Sequence, residues 1–274
     1  MARSRSDFYE QFGSPDGTGT QYDDKSTGLA INRLYLLDFF HVPSGKHVVF
    51  KAMINSFSDQ YTSEWSTENV YGRMDPISQF QGTQRVISLD WDVVAASVEE
   101  AKLNMKKCQL LMSMLYPTYE ASSGDSSATL INTAPLFKFK FGNFAMDAAM
   151  GTEAASATAQ DAGLVGYIGG FTFEPDFESG ILEDYGQPDP RTGVPYGGDV
   201  KGKGHFFPQH MKLAAEFTVL HTHKLGWEGA ERREAMFPYG AGTYGADPDA
   251  GDSASEAELE EFERAIGFEI GGGI

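Results

Sequence analysis

The clearest alternation of hydrophobic and polar positions lies in residues 85–93 (RVISLDWDV). Because successive side chains of a strand point to opposite faces, this period of two predicts a sheet with one dry and one wet face. Upstream, residues 48–57 predict a second strand, and the polar stretch after it, residues 58–65 and 71–76, is interpreted as a loop. The hydrophobic positions of the first segment are Ile87, Leu89, Trp91 and Val93, and the polar positions are Ser88, Asp90 and Asp92.

A helix is predicted to begin at Ser97 and to end before Pro117, where the hydrophobic period changes to three or four residues. Ser97 and Glu100 match the S-x-x-E capping box. The helix is expected to cover one flank of the sheet, with Cys108 as a small core residue and Lys107 off the apolar stripe. The stripe consists of Val98, Ala101, Met105, Cys108, Met112 and Leu115.

Four further segments predict strands: residues 34–42, 136–141, 164–173 and 211–222. The first is expected to pair with the strand that follows it, through the turn Pro43-Ser-Gly45. In residues 136–141 the phenylalanines are expected to point inward, with Lys138 and Lys140 outward. The sequence therefore predicts a mainly β fold with one flanking α-helix.

The ends of the chain and three internal stretches lack a core pattern. Residues 1–28 are interpreted as an N-terminal arm, residues 29–228 as the β domain, and residues 229–274 as an acidic C-terminal arm with a short helix near residues 255–266. Loop insertions are expected near residues 118–134, 145–163 and 174–204, which are rich in Gly, Ser, Ala, Pro and Asp.

Composition narrows the functional classes. The 274 residues carry 39 acidic and 21 basic side chains, a net charge of −18. This balance argues against a surface that grips nucleic acid, though not against one that nucleic acid slides past. A single cysteine excludes an internal disulfide and a multi-cysteine zinc site, and it indicates assembly in a reducing compartment. No apolar run reaches the length of a membrane span, and no signal peptide is expected.

The best metal-binding pattern is His221-Thr-His223 with Glu228, the H-x-H-x4-E spacing of cupins. Two histidines at i and i+2 share one face of a strand, so they can chelate one divalent metal. The glycines that flank the cupin pattern are replaced by Ala215 and Ala235. The alternative interpretation is a polar strand end.

Other candidate motifs are weaker. Asp90-Trp-Asp92 could form a D-x-D metal site, but no third ligand is specified, and solvated or lumen-facing carboxylates are the alternative. Lys201-Gly-Lys-Gly204 lacks the context of a phosphate-binding loop and is interpreted as a flexible loop. No arrangement of nucleophile and base is found, so no catalytic residue is predicted.

Three segments together resemble the tail-tube fold of bacteriophage contractile tails: residues 57–65 (FSDQYTSEW), residues 70–76 (VYGRMDP), and the strand–helix run of residues 85–117. In that family an acidic, Trp-containing stretch leads into a G-R-x-D-P turn, then a strand and a flanking helix. Residues 164–175 and 207–227 resemble the later strands of the same fold. The resemblance covers roughly residues 30–228.

The resemblance implies a β-barrel or sandwich with long loops and extended terminal arms. Six copies would join their sheets in a homohexameric ring around a DNA ejection channel. The expected function is a structural virion protein of the phage tail, a tube initiator or baseplate hub-tube subunit, and not an enzyme. Its expected partners are copies of itself, other tail tube and baseplate proteins, and phage DNA that passes without specific binding; no cofactor and no membrane are involved. Assembly would take place in the host cytoplasm.

Two alternatives remain open: the major tail tube protein and, from another class, a metal-dependent cupin-like β-barrel enzyme. Under the tail-tube hypothesis Asp90 and Asp92 line the channel. Arg73 is expected to pair with a carboxylate of a neighbouring subunit, or alternatively to form an intrachain salt bridge. The subunit interface is predicted at the polar loop that contains Asp59, Trp65, Gly72, Arg73 and Asp75.

Overall fold

A computed structural model describes residues 12, 25–69, 71–119, 131–149, 154, 156–183, 206–228, 231–232 and 237–240. No helix in these ranges combines the length and the apolar character needed to cross a membrane. The helices are α1 (Lys25–Arg33), α2 (Val98–Met114) and α3 (Ala159–Ala162). The strands are β1 (Leu36–His41), β2 (Lys46–Lys51), β3 (Ile54–Glu68), β4 (Ile77–Val94), β5 (Thr118–Tyr119), β6 (Ile131–Thr133), β7 (Phe137–Phe141), β8 (Leu164–Glu183), β9 (Phe206–Val219), β10 (Trp227–Glu228) and β11 (Glu231–Arg232).

One seven-stranded sheet dominates the molecule, with the order β2-β1-β7-β8-β9-β4-β3. All of its neighbouring strands are antiparallel. Two small hairpins, β5-β6 and β10-β11, lie outside it. The prediction of a mainly β fold with a flanking helix is confirmed, and β1 pairs with β2 as expected.

The sheet is strongly curled. Phe39 on β1 and Trp91 on β4 stack with ring centroids 5.8 Å apart. These strands are four places apart in the sheet order, which would separate them by roughly 19 Å in a flat sheet. The concave face therefore closes around an aromatic core, and α2 covers it. This core includes Leu37, Phe39, Phe50, Ile87, Leu89, Trp91, Leu111, Phe137, Phe139, Leu213 and Phe217.

Helix α2 begins as its capping box predicts. The Ser97 hydroxyl accepts a hydrogen bond from the Glu100 backbone N–H, and the Glu100 carboxylate accepts one from the Ala96 N–H at 2.8 Å. Cys108 is fully buried in the core, as predicted, and burial raises the pKa of its thiol to about 12. The outward placement of Lys107 is wrong: its side chain is buried and its ammonium nitrogen lies 3.6 Å from the Phe12 ring centroid.

A second layer packs on the face of the sheet opposite the aromatic core, and it explains why the predicted outward position of Lys140 is wrong. Helix α1 packs Ile31 against Leu36 and Val49, on the face that the sequence pattern predicts to be wet. Asp38, on the same face, accepts a hydrogen bond from the Ala159 N–H at the start of α3. Lys140 is therefore buried there rather than exposed, and burial lowers its pKa to about 8.

The strands are longer than the sequence pattern predicts. Residues 58–65 belong to β3 and are not a loop, and β8 continues through the first part of the expected 174–204 insertion. Backbone ladders do not require apolar side chains, so polar strands escape detection by hydrophobic periodicity. The expected 145–163 insertion contains α3, and the 118–134 insertion contains β5 and β6. Most of both predicted arms, the short helix near 255–266 and Lys201–Gly204 lie outside the described residues.

Candidate functional site

Four long strands form one part of the seven-stranded sheet, and its two outer strands, β3 and β8, lack a full partner among the described residues. Among the residues that the structure describes, β3 pairs with β4 alone. Strand β8 pairs with β7 only over Leu164–Gly166, so its residues 167–183 have no strand on that side within the described residues. Over the described ranges, the four-stranded unit β8-β9-β4-β3 thus has two backbone edges that lack a full strand partner.

Two ribbons project from opposite ends of this unit. Residues 62–68 and 77–84 pair with each other beyond the last β4–β9 pair, Arg85 with Val219. At the other end, residues 181–183 of β8 pair with residues 206–208 of β9 beyond the end of β4. Both ribbons expose large apolar side chains to solvent, a feature of protein contact surfaces. The exposed side chains are Trp65, Ile77 and Phe80 on the first ribbon and Ile181 and Phe206 on the second.

The open face of the unit is acidic. Register places Asp92 beside Lys212 and Glu174, and the neighbouring rows add Asp90 and Glu216. These rows hold four carboxylates and one lysine, all on the face opposite the aromatic core. The face therefore carries a negative potential along the strands.

Of the two predicted channel-lining residues, Asp90 is exposed and Asp92 is engaged within the chain. The Asp92 Oδ1 atom lies 3.2 Å from Nε2 of His210, off the line of a hydrogen bond. The His210 Nδ1 atom lies 3.1 Å from Oδ2 of Asp176, which also accepts a hydrogen bond from the Ser179 hydroxyl at 2.6 Å. The hydrogen bonds from Ser179 and His210 hold the pKa of Asp176 well below its usual range.

His210 on β9 lies between Asp92 on β4 and Asp176 on β8, a link that was not predicted from the sequence. A signal for it exists in the chain. His210 and Lys212 are two residues apart, so they share the polar face of one strand. The pairing of that strand with Asp92 and Asp176 is a tertiary feature that spacing alone does not reveal.

Asp59, predicted on an exposed interface loop, is instead buried in an intrachain ion pair. Arg85 donates from Nε to Oδ1 at 3.0 Å and from Nη2 to Oδ2 at 2.7 Å. The hydroxyls of Tyr61 and Tyr239 donate to the same Oδ2 atom at 3.1 and 3.0 Å. The side chains of Arg85 and Asp59 are 0% and 3% exposed. The Asp59 carboxylate is therefore used within the chain, on a strand and not on the predicted loop, and its role in a subunit interface stays a prediction.

The remaining predicted interface residues lie on the first ribbon or its turn and are exposed. The Trp65 ring contacts Phe80 edge-on at 5.3 Å across the ribbon. Gly72 has a φ of +91°, a conformation that favours glycine, in the turn that also holds Arg73 and Asp75. Among the described residues no ion pair reaches Arg73, so the intrachain salt bridge left open above is not found there.

The cupin-like histidines follow the end of β9. The His221 ring lies 6.5 Å from the Phe237 ring, and burial, followed by the charge of Arg85, lowers the pKa of His221. His223 Nδ1 lies 3.9 Å from Oδ1 of Asp147. Glu228 belongs to β10, but its side chain lies outside the described part. Within the described ranges no three His, Cys, Asp or Glu side chains gather as a metal site.

No protein-family model matches this chain, and a search of curated proteins likewise finds no match. The features of the described residues that bear on function are the unpaired edges of β3 and β8, the projecting ribbons and the acidic open face.

Proposed function

We propose that this protein is the subunit of a ring whose wall is one continuous sheet. The observation that carries the proposal is the pair of free edges on β3 and β8. Strand directions alternate across β8-β9-β4-β3, so β3 of one copy can pair antiparallel with β8 of the next. Such a contact joins two different surfaces, and repetition around a rotation axis closes it into a ring with no edge left over.

In this ring the acidic face is the wall of the central channel. Asp90, Asp92, Glu174 and Glu216 then repel the phosphates of DNA, and Lys212 offsets only part of that charge. DNA would pass without specific binding, because this face offers few cations to hold its backbone. The chain's net charge of −18 agrees with this role.

The ring most consistent with these features is a phage tail ring, the tube initiator or the baseplate hub-tube ring. The G-R-x-D-P turn and the strand–helix run that resemble the tail-tube family support this assignment, as does a curled sheet that would form a barrel-like subunit. The apolar ribbons at the two ends suit contacts with tail proteins above and below. The proposed location is the virion. The major tail tube protein is the alternative, distinguished by copy number per particle.

Electron microscopy and sedimentation of the purified chain test the assembly. Closed rings with a central channel, present once or twice per tail near the baseplate, are expected. Many stacked copies per tail would make the chain the tube protein. A compact monomer or dimer with a stoichiometric metal that is lost on His221→Ala would overturn the proposal and favour the enzyme.

A matched pair of charge variants tests which face lines the channel. Asp90→Lys/Glu216→Lys reverses two carboxylates on the acidic face, and Glu99→Lys/Asp161→Lys reverses two exposed carboxylates on helices, with the same change in net charge. Rings of the first variant are expected to retain linear double-stranded DNA, and rings of the second are not. Equal DNA retention by both variants would contradict a channel-facing position for Asp90 and Glu216.

A further inference from the structure

A short piece of the C-terminal arm, residues 237–240, lies across the place where the first ribbon leaves the sheet. We name this piece the strap. Its Tyr239 hydroxyl donates to Oδ2 of Asp59 on β3 at 3.0 Å. From the other side, the side-chain amide of Asn143, just after β7, donates to the Tyr239 carbonyl at 3.1 Å. Tyr239 therefore links the turn after β7 to β3.

Aromatic contacts complete the attachment. The Phe237 ring centroid lies 5.8 Å from the Arg85 guanidinium carbon, and the same ring meets Tyr61 edge-on at 6.2 Å. Tyr239 packs against Phe144 at 5.8 Å. These rings shield the Arg85–Asp59 pair from water, which strengthens the attraction between its charges.

The strap marks the boundary between core and ribbon. Arg85 on β4 is fully buried, whereas Thr83, the next residue of β4 on the same face, is exposed. On β3 the change occurs between Asp59 and Ser63. Phe237 and Tyr239, more than 140 residues further along the chain, thus contact both strands at the point where the ribbon leaves the sheet.

We propose that the strap is a docking device that fixes the root of the ribbon and so prepares the β3 edge for pairing with another copy of this chain. Its described contacts with β3 go to the Asp59 carboxylate and the Tyr61 ring, on the core side. No described strand pairs with the outer backbone edge of β3. A strand held in place loses less conformational entropy when a partner strand pairs with it. The identity of the partner rests on the proposed ring function; the fixing of the ribbon does not.

Hydrogen exchange on the monomeric full chain tests the first step. Tyr239→Phe removes one hydroxyl and keeps the ring, and Phe237→Ala removes the aromatic cover. Tyr116→Phe, at an exposed tyrosine away from the strap, is the matched control. We expect the double variant Tyr239→Phe/Phe237→Ala to exchange about tenfold faster over residues 62–68 and 77–84, with β1 and β7 unchanged, because it loses a hydrogen bond to a charged acceptor. Ribbon exchange equal to that of Tyr116→Phe would overturn the proposal.

Sedimentation of the same variants tests the second step. Weaker ring assembly by Tyr239→Phe, with normal assembly by Tyr116→Phe, is expected. Faster ribbon exchange with unchanged assembly would overturn the link between the strap and edge pairing. If the unmodified chain forms no rings, the proposed function fails, and the strap is judged by exchange alone. Tyr239→Phe used singly keeps the test valid even if the double variant unfolds.

Discussion

Replacing Asp59 by Asn is the perturbation that best tests the structure. The change keeps the size of the side chain but removes its charge. Arg85 would then be a buried cation without a counter-ion, since its side chain is 0% exposed. Asp59 is also the acceptor for both tyrosine hydroxyls, and an amide offers one oxygen where the carboxylate offers two.

The expected loss is large. Breaking a buried ion pair by removing one partner costs about 3–5 kcal/mol. We expect the lower end, a loss of about 3 kcal/mol in the free energy of unfolding, because the amide retains one acceptor oxygen. Asp59→Leu combined with Arg85→Met removes both charges. The free energy of unfolding of this double variant is expected to lie within about 1–2 kcal/mol of that of the native protein.

Urea unfolding of dilute, monomeric protein measures these values. Asp75→Asn, at an exposed carboxylate in the turn at the tip of the same ribbon, is the control and should change stability by less than about 0.5 kcal/mol. The reasoning is refuted if Asp59→Asn is no more destabilising than Asp75→Asn. Normal monomer stability with impaired ring assembly would restore Asp59 to the interface originally predicted from the sequence.

Two further predictions concern buried groups. Burial lowers the pKa of Lys107 to about 7, so the unfolded chain binds more protons above that pH, and stability should rise by about 1–2 kcal/mol from pH 7 to 8.5. Lys107→Met should remove most of this rise in urea midpoints and leave the smaller part due to Lys140; an unchanged slope would contradict the burial of Lys107. A Cβ on Gly166 would collide with the Thr218 carbonyl oxygen, whereas a Cβ on Gly170 meets open space. Gly166→Ala is therefore expected to cost at least about 1–3 kcal/mol and Gly170→Ala much less in the same assay; equal effects would count against the close β8–β9 approach.

Patterns over a few consecutive residues correctly predicted those elements whose formation depends on residues close together in the chain. The alternation of Ile87, Leu89 and Trp91 with polar residues identified a strand with a dry face, and all three side chains are buried. Ser97 and Glu100 located the start of α2 correctly. These features are readable because the strand period and the helix cap act over a few residues.

Features set by remote segments escaped the sequence analysis. Lys107 and Lys140 look like solvent-exposed positions, but Phe12 covers one and the layer formed by α1 and α3 covers the face of the other. The polar residues of β3 look like a loop because their strand is held by backbone ladder bonds and not by a core. Neither the burial of these lysines by distant segments nor the pairing of β3 with β4 produces a periodic pattern of hydrophobic residues in the sequence.

The sequence by itself determined the mainly β class, the position of α2 and the dry face of β4. Tertiary structure alone decided the partners: Arg85 for Asp59, His210 for Asp92, and the strap over both strands of the ribbon root. The physical reason is that burial and charge pairing depend on which distant segments come within a few ångströms. Chain spacing encodes the face on which a side chain lies, but not the partner that it meets there.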